Sequence, residues 1–345
     1  MAAAACQVSA EDYGKVTATK VADGVYLFST SRYGDVGFCG NVIAIVSSDG
    51  VALFDSGGTP ATAREILRQL RTFTSQPVRY LVNSHWHWDH WGGNQAVRQA
   101  FPQVQIIAHE KTREQMIQVG VPWNAPGLER DLPNYIEGVR ARASKASGPE
   151  GAHLRELLHA DDDFLREKRL VTYTFPSTTF TDALTLRMGE REIQVRHARG
   201  ITASDTYVYL PKEKLLITGD LDVAPIPFAV GGTYPADWIA KLQEFVALQP
   251  ALILPGHGEA QHDTSYLQAM SKVFEAVRND VAAARTRGLT LEATEKELGT
   301  KAAQYAAMLG LKEDATATFQ GYFLEVFIRR AYREQEHPLG DEPTS

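Results

Sequence analysis

Short apolar runs alternate with helical stripes along the chain, and their order predicts a mixed α/β architecture. Asn41 to Val46 and Val51 to Phe54 are apolar runs separated by Ser48-Asp49-Gly50, whose Asp-Gly step predicts a hairpin. The second run ends in Asp55-Ser56-Gly57-Gly58, and Thr59-Pro60 then supplies a helix cap with proline in the first turn. Ile66, Leu67 and Leu70 follow at helical spacing, and Arg79-Tyr80-Leu81-Val82 reads as a buried strand. The same order recurs downstream. Lys214 to Thr218 predicts a strand ending in Gly219-Asp220, a helix begins near Pro235 and runs through Trp238, Ile239 and Leu242, and Ala251 to Leu254 predicts a strand ending in Pro255-Gly256-His257. This is a faint internal two-fold, with coincidence among common β-α-β patterns as the alternative. Two such halves facing each other would bring their strand ends to one edge.

Residues 109 to about 170 break that rhythm. They are polar and helical in tendency, carry Pro122, Pro126 and Pro133, and include the acidic run Asp161-Asp162-Asp163, which predicts a helical insertion with that run on a solvated face. His153 and His159 lie within it with no ligand-type partners at useful spacing. After His257, Leu267, Met270, Phe274, Val277 and Val281 form one helical stripe, ended by Arg287-Gly288, and Phe319, Phe323, Val326 and Phe327 form another. These predict packing faces, with a homodimer interface as the alternative. At about 150 residues per domain the length suggests two domains, yet no Pro/Gly/Ser-rich linker interrupts the chain. The organisation expected is an N-terminal tail over residues 1–19, one large α/β domain over 20–262, a C-terminal helical extension over 263–335 and a tail over 336–345.

Candidate chemistry concentrates in one place. His85-Trp86-His87-Trp88-Asp89-His90 sets three of the chain's ten histidines and a carboxylate directly after the predicted strand. Neutral imidazole and carboxylate are the donor set that suits zinc or another first-row divalent ion. Gly92-Gly93-Asn94 is expected to let the backbone turn tightly into the next helix. The plain alternative is a surface loop rich in histidine.

The spacing His85-x-His87-x-Asp89-His90 resembles the signature of the metallo-β-lactamase superfamily. The resemblance implies a four-layer αββα sandwich, here with the helical insertion and the C-terminal helical extension. It implies that His85 and His87 hold one metal, that Asp89 and His90 hold a second, that Asp220 bridges the two and that His257 is the last ligand. It also exposes a departure. The family commonly carries a histidine before Thr-x-Gly-Asp, and Ile201-Thr202-Ala203-Ser204-Asp205 puts isoleucine at that ligand position. His197 lies four residues earlier, but with Ile193 and Val195 it reads as part of an ordinary strand face. The expectation is one firm and one weak metal.

The function this implies is a metal-dependent hydrolase in which a metal-bound hydroxide attacks a carbonyl or ester-type bond, with Asp89 orienting that nucleophile. One or two Zn2+ ions are the expected cofactor, with iron or manganese as alternatives. An aspartate at 220 resembles thioesterase- and lactonase-like members, so thioesters, lactones and esters rank above β-lactams. A degenerate member that binds metal or ligand without turnover is the rival reading, and Ile201 is its best support. Trp86, Trp88 and Trp91 interleave the ligands, and Trp123 and Phe228 lie in candidate cleft loops, which would suit a small-molecule substrate with an apolar or aromatic group. The alternative is that these rings buttress the ligands.

Charge and length remove other classes. A formal net charge of −7 and the lack of a basic stripe interleaved with aromatics argue against a nucleic-acid partner. No apolar run is long enough to span a membrane. Met1-Ala2-Ala3-Ala4-Ala5-Cys6 is too short for a full signal peptide and fits the scar of a trimmed one, so periplasmic, secreted and cytoplasmic locations all stay open. Cys6 and Cys39 permit one disulfide at most, and Cys39 is expected to be a small buried residue.

Overall fold

A computed structural model describes residues 14–32 and 37–340. The segment Met1 to Cys6, any partnership of Cys6, and residues 341–345 of the expected tail lie outside the described residues. The chain divides into two units, one running to Phe180 and including Met188–Glu190, the other comprising Thr181–Arg187 and the chain from Arg191 onward.

The first unit is built on a seven-stranded sheet in sequential order: β1 (Val16–Ala22), β2 (Val25–Thr30), β3 (Val42–Ser47), β4 (Gly50–Phe54), β5 (Val78–Val82), β6 (Gln105–His109) and β7 (Thr178–Phe180). The expected hairpin is β3–β4, antiparallel across Ser48-Asp49, with Ser47 opposite Gly50. Helix α1 (Pro60–Phe73) then carries the chain to β5, which pairs parallel to β4. Thr59 caps α1 by accepting from the Thr62 amide, and Pro60 occupies the first turn, where its missing N–H costs nothing. Ala63, Ile66, Leu67 and Leu70 are buried, so the stripe read from the sequence is the face that α1 packs inward.

From β5 the chain enters a single helical turn, α2 (Trp88–Trp91), and then α3 (Asn94–Ala100). Gly92 and Gly93 lie between them with φ of −59° and −87°, ordinary right-handed values. Tight turning is therefore not why glycine stands there. A Cβ on Gly92 would lie 2.1 Å from the Gly58 carbonyl oxygen, and one on Gly93 would lie 2.2 Å from that of Ser56. The two glycines let the turn approach the β4–α1 loop, where the Ser56 amide donates to the His90 carbonyl at 2.8 Å.

The expected helical insertion runs through α4 (Glu110–Gln115), α5 (Val121–Pro126), α6 (Leu132–Ala143) and α7 (Gly148–Arg169), with π-helical turns at Met116–Gly120 and Gly127–Asp131. One expectation for it fails in part. Asp161-Asp162-Asp163 is solvated only in part, because the helical period turns Asp161 fully inward while Asp162 and Asp163 stay at the surface, paired with Arg140 and Arg166.

The second unit holds a five-stranded sheet in the order β12-β11-β10-β9-β8, formed by β8 (Ala183–Met188), β9 (Arg191–Ala198), β10 (Asp205–Leu210), β11 (Leu215–Val223) and β12 (Leu252–His257). Helix α8 (Pro235–Ala247) links β11 to the parallel β12, as α1 links β4 to β5, so each unit contains the crossover expected from the repeated pattern. The remaining helices are α9 (Ser265–Thr286), α10 (Leu291–Gly299), α11 (Ala302–Met308), α12 (Thr316–Phe319) and α13 (Glu325–Glu334). Both C-terminal stripes are packing faces. Phe274 stacks with Phe323 at 4.6 Å and meets Trp238 edge-on at 4.8 Å, and Phe327 lies 4.7 Å from Phe323. Among the described residues no helix is long and apolar enough to cross a membrane.

Candidate metal centre

In the first unit the four donors of the motif converge because β5 ends three residues before His85 and α2 winds immediately after His87. His85, His87, Asp89 and His90 are all buried. The His85 ring lies 4.4 Å from that of His87, edge-on, and 4.3 Å from that of His90. Asp89 Oδ2 stands 3.2 Å from His90 Nε2.

One buried carboxylate organises this cluster. Asp55, at the end of β4, lies 2.8 Å through Oδ2 from His90 Nδ1. Its other contacts are donors from Ser84: the amide to Oδ1 at 2.7 Å and the hydroxyl to Oδ2 at 2.7 Å. The Ser84 Oγ in turn lies 2.9 Å from His85 Nδ1. A carboxylate acceptor requires His90 to carry its proton on Nδ1, and a serine hydroxyl already donating to Asp55 accepts from His85 Nδ1. Both imidazoles are thereby left with Nε2 lone pairs, the protonation that a metal needs. Asp55 adopts φ of +63°, a backbone conformation that a non-glycine residue holds only where its surroundings fix it. Burial pushes its carboxyl above the usual range, opposed by His90 and the Ser84 donors.

Distances within the cluster fit a divalent ion. Two ligand atoms at about 2.0–2.1 Å from a tetrahedral zinc stand about 3.3 Å from each other, against 3.2 Å for Asp89 Oδ2 and His90 Nε2. Gly40 leaves the space for this arrangement, since a Cβ there would lie 2.4 Å from His90 Cε1. Replacing Gly40 with alanine is expected to push the buried His90 ring off Asp55, destabilise the metal-free chain by about 1–3 kcal/mol, and weaken zinc binding by about tenfold or more. Urea unfolding and zinc titration of the variant measure both effects.

Within the second unit, Asp220 and His257 stand at or near the ends of the parallel strands β11 and β12. Asp220 Oδ1 and His257 Nε2 lie 3.6 Å apart, again close to the ligand-ligand spacing of one ion. Asp220 is buried and His257 half-buried. Gly256 is required here, because a Cβ on it would stand 2.1 Å from Asp220 Oδ1. Asp222, fully buried two residues on, accepts from Gln261 Nε2 at 2.9 Å, and burial pushes its carboxyl up to about 7.

Ile201 is wholly buried and belongs to the apolar cluster that contains Ala198, Tyr207, Leu221 and Trp238. Its loop is held by Asp205, whose carboxylate accepts from the Thr202 amide at 3.0 Å and the Thr202 hydroxyl at 2.7 Å. Burial pushes the Asp205 carboxyl up to about 8. His197 is half-buried, with Nε2 lying 3.0 Å from the Ala203 carbonyl oxygen, while Ile193 and Val195 on its strand are buried.

The aromatic residues divide by role. Trp91 is buried and donates from Nε1 to the Trp86 carbonyl at 2.8 Å, and Trp86 stands edge-on to His87 at 4.6 Å, so these two buttress the His85–His90 turn. Trp123 is 61 % exposed and meets Trp86 edge-on at 6.4 Å. Phe228 packs edge-on to Tyr322 at 6.1 Å. Cys39 is a buried free thiol, as expected, and desolvation raises its pKa.

Sequence reasoning noted Asp55 only as the end of a strand and missed its role. The available signal was the repeated pattern, which sets Asp55 and Asp220 at equivalent strand ends.

A family model for the metallo-beta-lactamase superfamily matches residues 37–257. A linear primary-alkylsulfatase from Pseudomonas sp. (strain ATCC 19151) is 23% identical over 248 residues, which is 69% of this chain and 44% of that relative, so the match spans less than half of the relative's length. Among solved structures, a metallo-beta-lactamase from Pontibacter korlensis superposes with a TM-score of 0.54 at 20% identity, covering 76% of this chain and 99% of that one. TMB-1 superposes with a TM-score of 0.53 at 15% identity, covering 76% and 97%. With two sheets and their helices in the α/β fold of these structures, and a family match over most of its length, the chain belongs to the metallo-β-lactamase superfamily and is a hydrolase of that family.

Proposed function

We propose that the chain hydrolyses an ester-type bond with a metal centre held by His85, His87, Asp89, His90, Asp220 and His257. The observation that carries this reading is Asp55 on His90 Nδ1, which leaves Nε2 as a donor beside Asp89 Oδ2 at 3.2 Å. In the ligand order of the family, His85 and His87 would hold one ion and Asp89, His90 and His257 another, with Asp220 available to either. Zinc suits this set of imidazoles and carboxylates, and iron or manganese would fit the same donors. Such an ion, when bound, supplies an acidified water near neutral pH and polarises the oxygen of the scissile bond.

The chain's own residues do the rest. The Asp89 carboxylate would accept a proton of the attacking water and aim its lone pair at the substrate. His85 and His90 stay fixed by Ser84 and Asp55, so no reorganisation of donors accompanies the reaction. The exposed Trp123 and the Trp86 beneath it offer an apolar wall leading from His87, which suits an acyl, alkyl or aromatic group on the substrate. The alkylsulfatase relative adds sulfate esters to the thioesters, lactones and carboxylic esters in the candidate class, and β-lactams rank below these.

Ile201 favours a second reading, binding without turnover, because an isoleucine offers no lone pair at the position where the family commonly has a histidine ligand. A screen of ester, thioester, lactone, alkyl sulfate and β-lactam probes, run before and after chelation, separates the two. Hydrolysis of an ester-type probe that chelation removes and zinc restores is the expected result. Bound metal with no turnover on any probe supports the second reading, and turnover indifferent to chelation contradicts the metal mechanism.

A further inference from the structure

The C-terminal end of the insertion helix α7 reaches the ligand turn through one buried cation. Lys168 is 5% exposed, and its Nζ lies 3.7 Å from the centroid of the Trp88 ring. Trp88 is the first residue of α2, directly before Asp89 and His90. Its ring is held on several sides. A Cβ on Gly58 would lie 2.6 Å from Trp88 Cζ3, Phe38 stands 5.2 Å from the ring and Phe164 of α7 stands 5.6 Å from it. Among the described residues no ion pair neutralises Lys168, and the ionisable groups whose fields it feels are the Cys39 thiol and Asp89.

Taking an ammonium out of water without a paired carboxylate is expensive, and the apolar nook formed by Cys39, Phe164, Trp88 and Leu132 would accept a methionine or leucine at no such cost. Burial pulls the Lys168 ammonium down to about 7, opposed by the fields of Cys39 and Asp89, and the protonated form sits on the negative face of the indole. A basic residue in the last turn of a helix is commonly a surface complement to the helix dipole, but one lodged on a ligand-bearing turn is placed to hold that turn still.

We infer that Lys168 is a positioning residue of the metal centre: its ammonium, seated on Trp88, fixes the Trp88–Trp91 turn and so places Asp89 and His90. The inference rests on the metal reading above. It makes the insertion part of the centre's support, with α7 coupled to metal retention through Lys168 beside the packing of Phe164 on the same ring.

The test compares the full chain with K168M, which keeps the apolar stem and loses the charge, and K168R, which keeps a cation able to stack on indole. The readouts are zinc affinity by competition with a chromophoric chelator, kcat and KM on the best ester probe, and the Tm of the metal-free chain. We expect K168M to weaken zinc binding by about tenfold or more and to lower kcat with little change in KM, and K168R to recover most of both. Should K168M fail to fold, W88F serves in its place, with weakened zinc binding again expected. Zinc binding in K168M, or in W88F where that is the variant used, equal to that of the unaltered chain, whatever the Tm does, overturns the inference and leaves the metal reading standing. An unaltered chain that holds no zinc, iron or manganese overturns both.

Discussion

Replacing Asp55 with asparagine is expected to weaken metal retention by about 10–100-fold, the range for loss of a group that orients a ligand, while the chain still folds. Asparagine tolerates the left-handed backbone at φ of +63° better than other non-glycine residues. It cannot reproduce the acceptor pattern. Asp55 receives the Ser84 amide on Oδ1, and the Ser84 hydroxyl and His90 Nδ1 on Oδ2. An amide has one oxygen and two N–H donors, so one of these contacts becomes donor against donor and the relay through Ser84 to His85 or the hold on His90 is lost. Replacing Asp55 with alanine goes further. It leaves the His90 and Ser84 donors without their acceptor in a buried site and sets an alanine at positive φ, for an expected destabilisation of about 3–5 kcal/mol. Zinc competition assays and urea unfolding of the metal-free variants measure the two effects separately. Zinc affinity unchanged in D55N would show that Asp55 does not organise the ligands.

Replacing His85 and His87 together with alanine is expected to lower hydrolysis by at least about a thousandfold. The metal's contribution to transition-state charge stabilisation is several kcal/mol, and about 4 kcal/mol corresponds to that factor. These two side chains are the pair assigned to one ion, with ring centroids 4.4 Å apart and both rings buried. Neither ring is attached to the Asp55–His90 contact directly, so that half of the cluster survives the change. Single-turnover kinetics on the best ester probe, together with zinc stoichiometry, check the outcome. A double variant that loses its metal but retains the unaltered rate would remove the metal from the chemistry.

How much of this was legible depends on whether a feature is local. The motif from His85 to His90 was readable because ligand spacing on a strand end and one helical turn is set within six residues. The β3–β4 hairpin, the Thr59 cap and the stripes of α1 and α9 were readable for the same reason, since each is a short-range pattern of turn, cap or period. Asp55 was not, because its function comes from contacts 29 and 35 positions along the chain. The carboxylate of Asp161 read as solvated with its acidic run, and Lys168 carried no signal in the sequence; both are buried by tertiary packing that a charge count does not record. Gly92 and Gly93 were correctly marked as special, but for backbone approach to the β4–α1 loop rather than for turn geometry. At Ile201 the departure is implied by the resemblance alone, and its apolar surroundings are a property of the second unit's core.

The most direct test is the metal content per chain of the purified protein, measured by mass spectrometry before and after exhaustive chelation and zinc reloading, with hydrolysis of the best ester probe followed on the same samples. One or two ions per chain, lost and regained together with turnover, is the predicted result. A chain that binds no zinc, iron or manganese after supplementation, or that hydrolyses its substrate equally well without metal, would contradict the account.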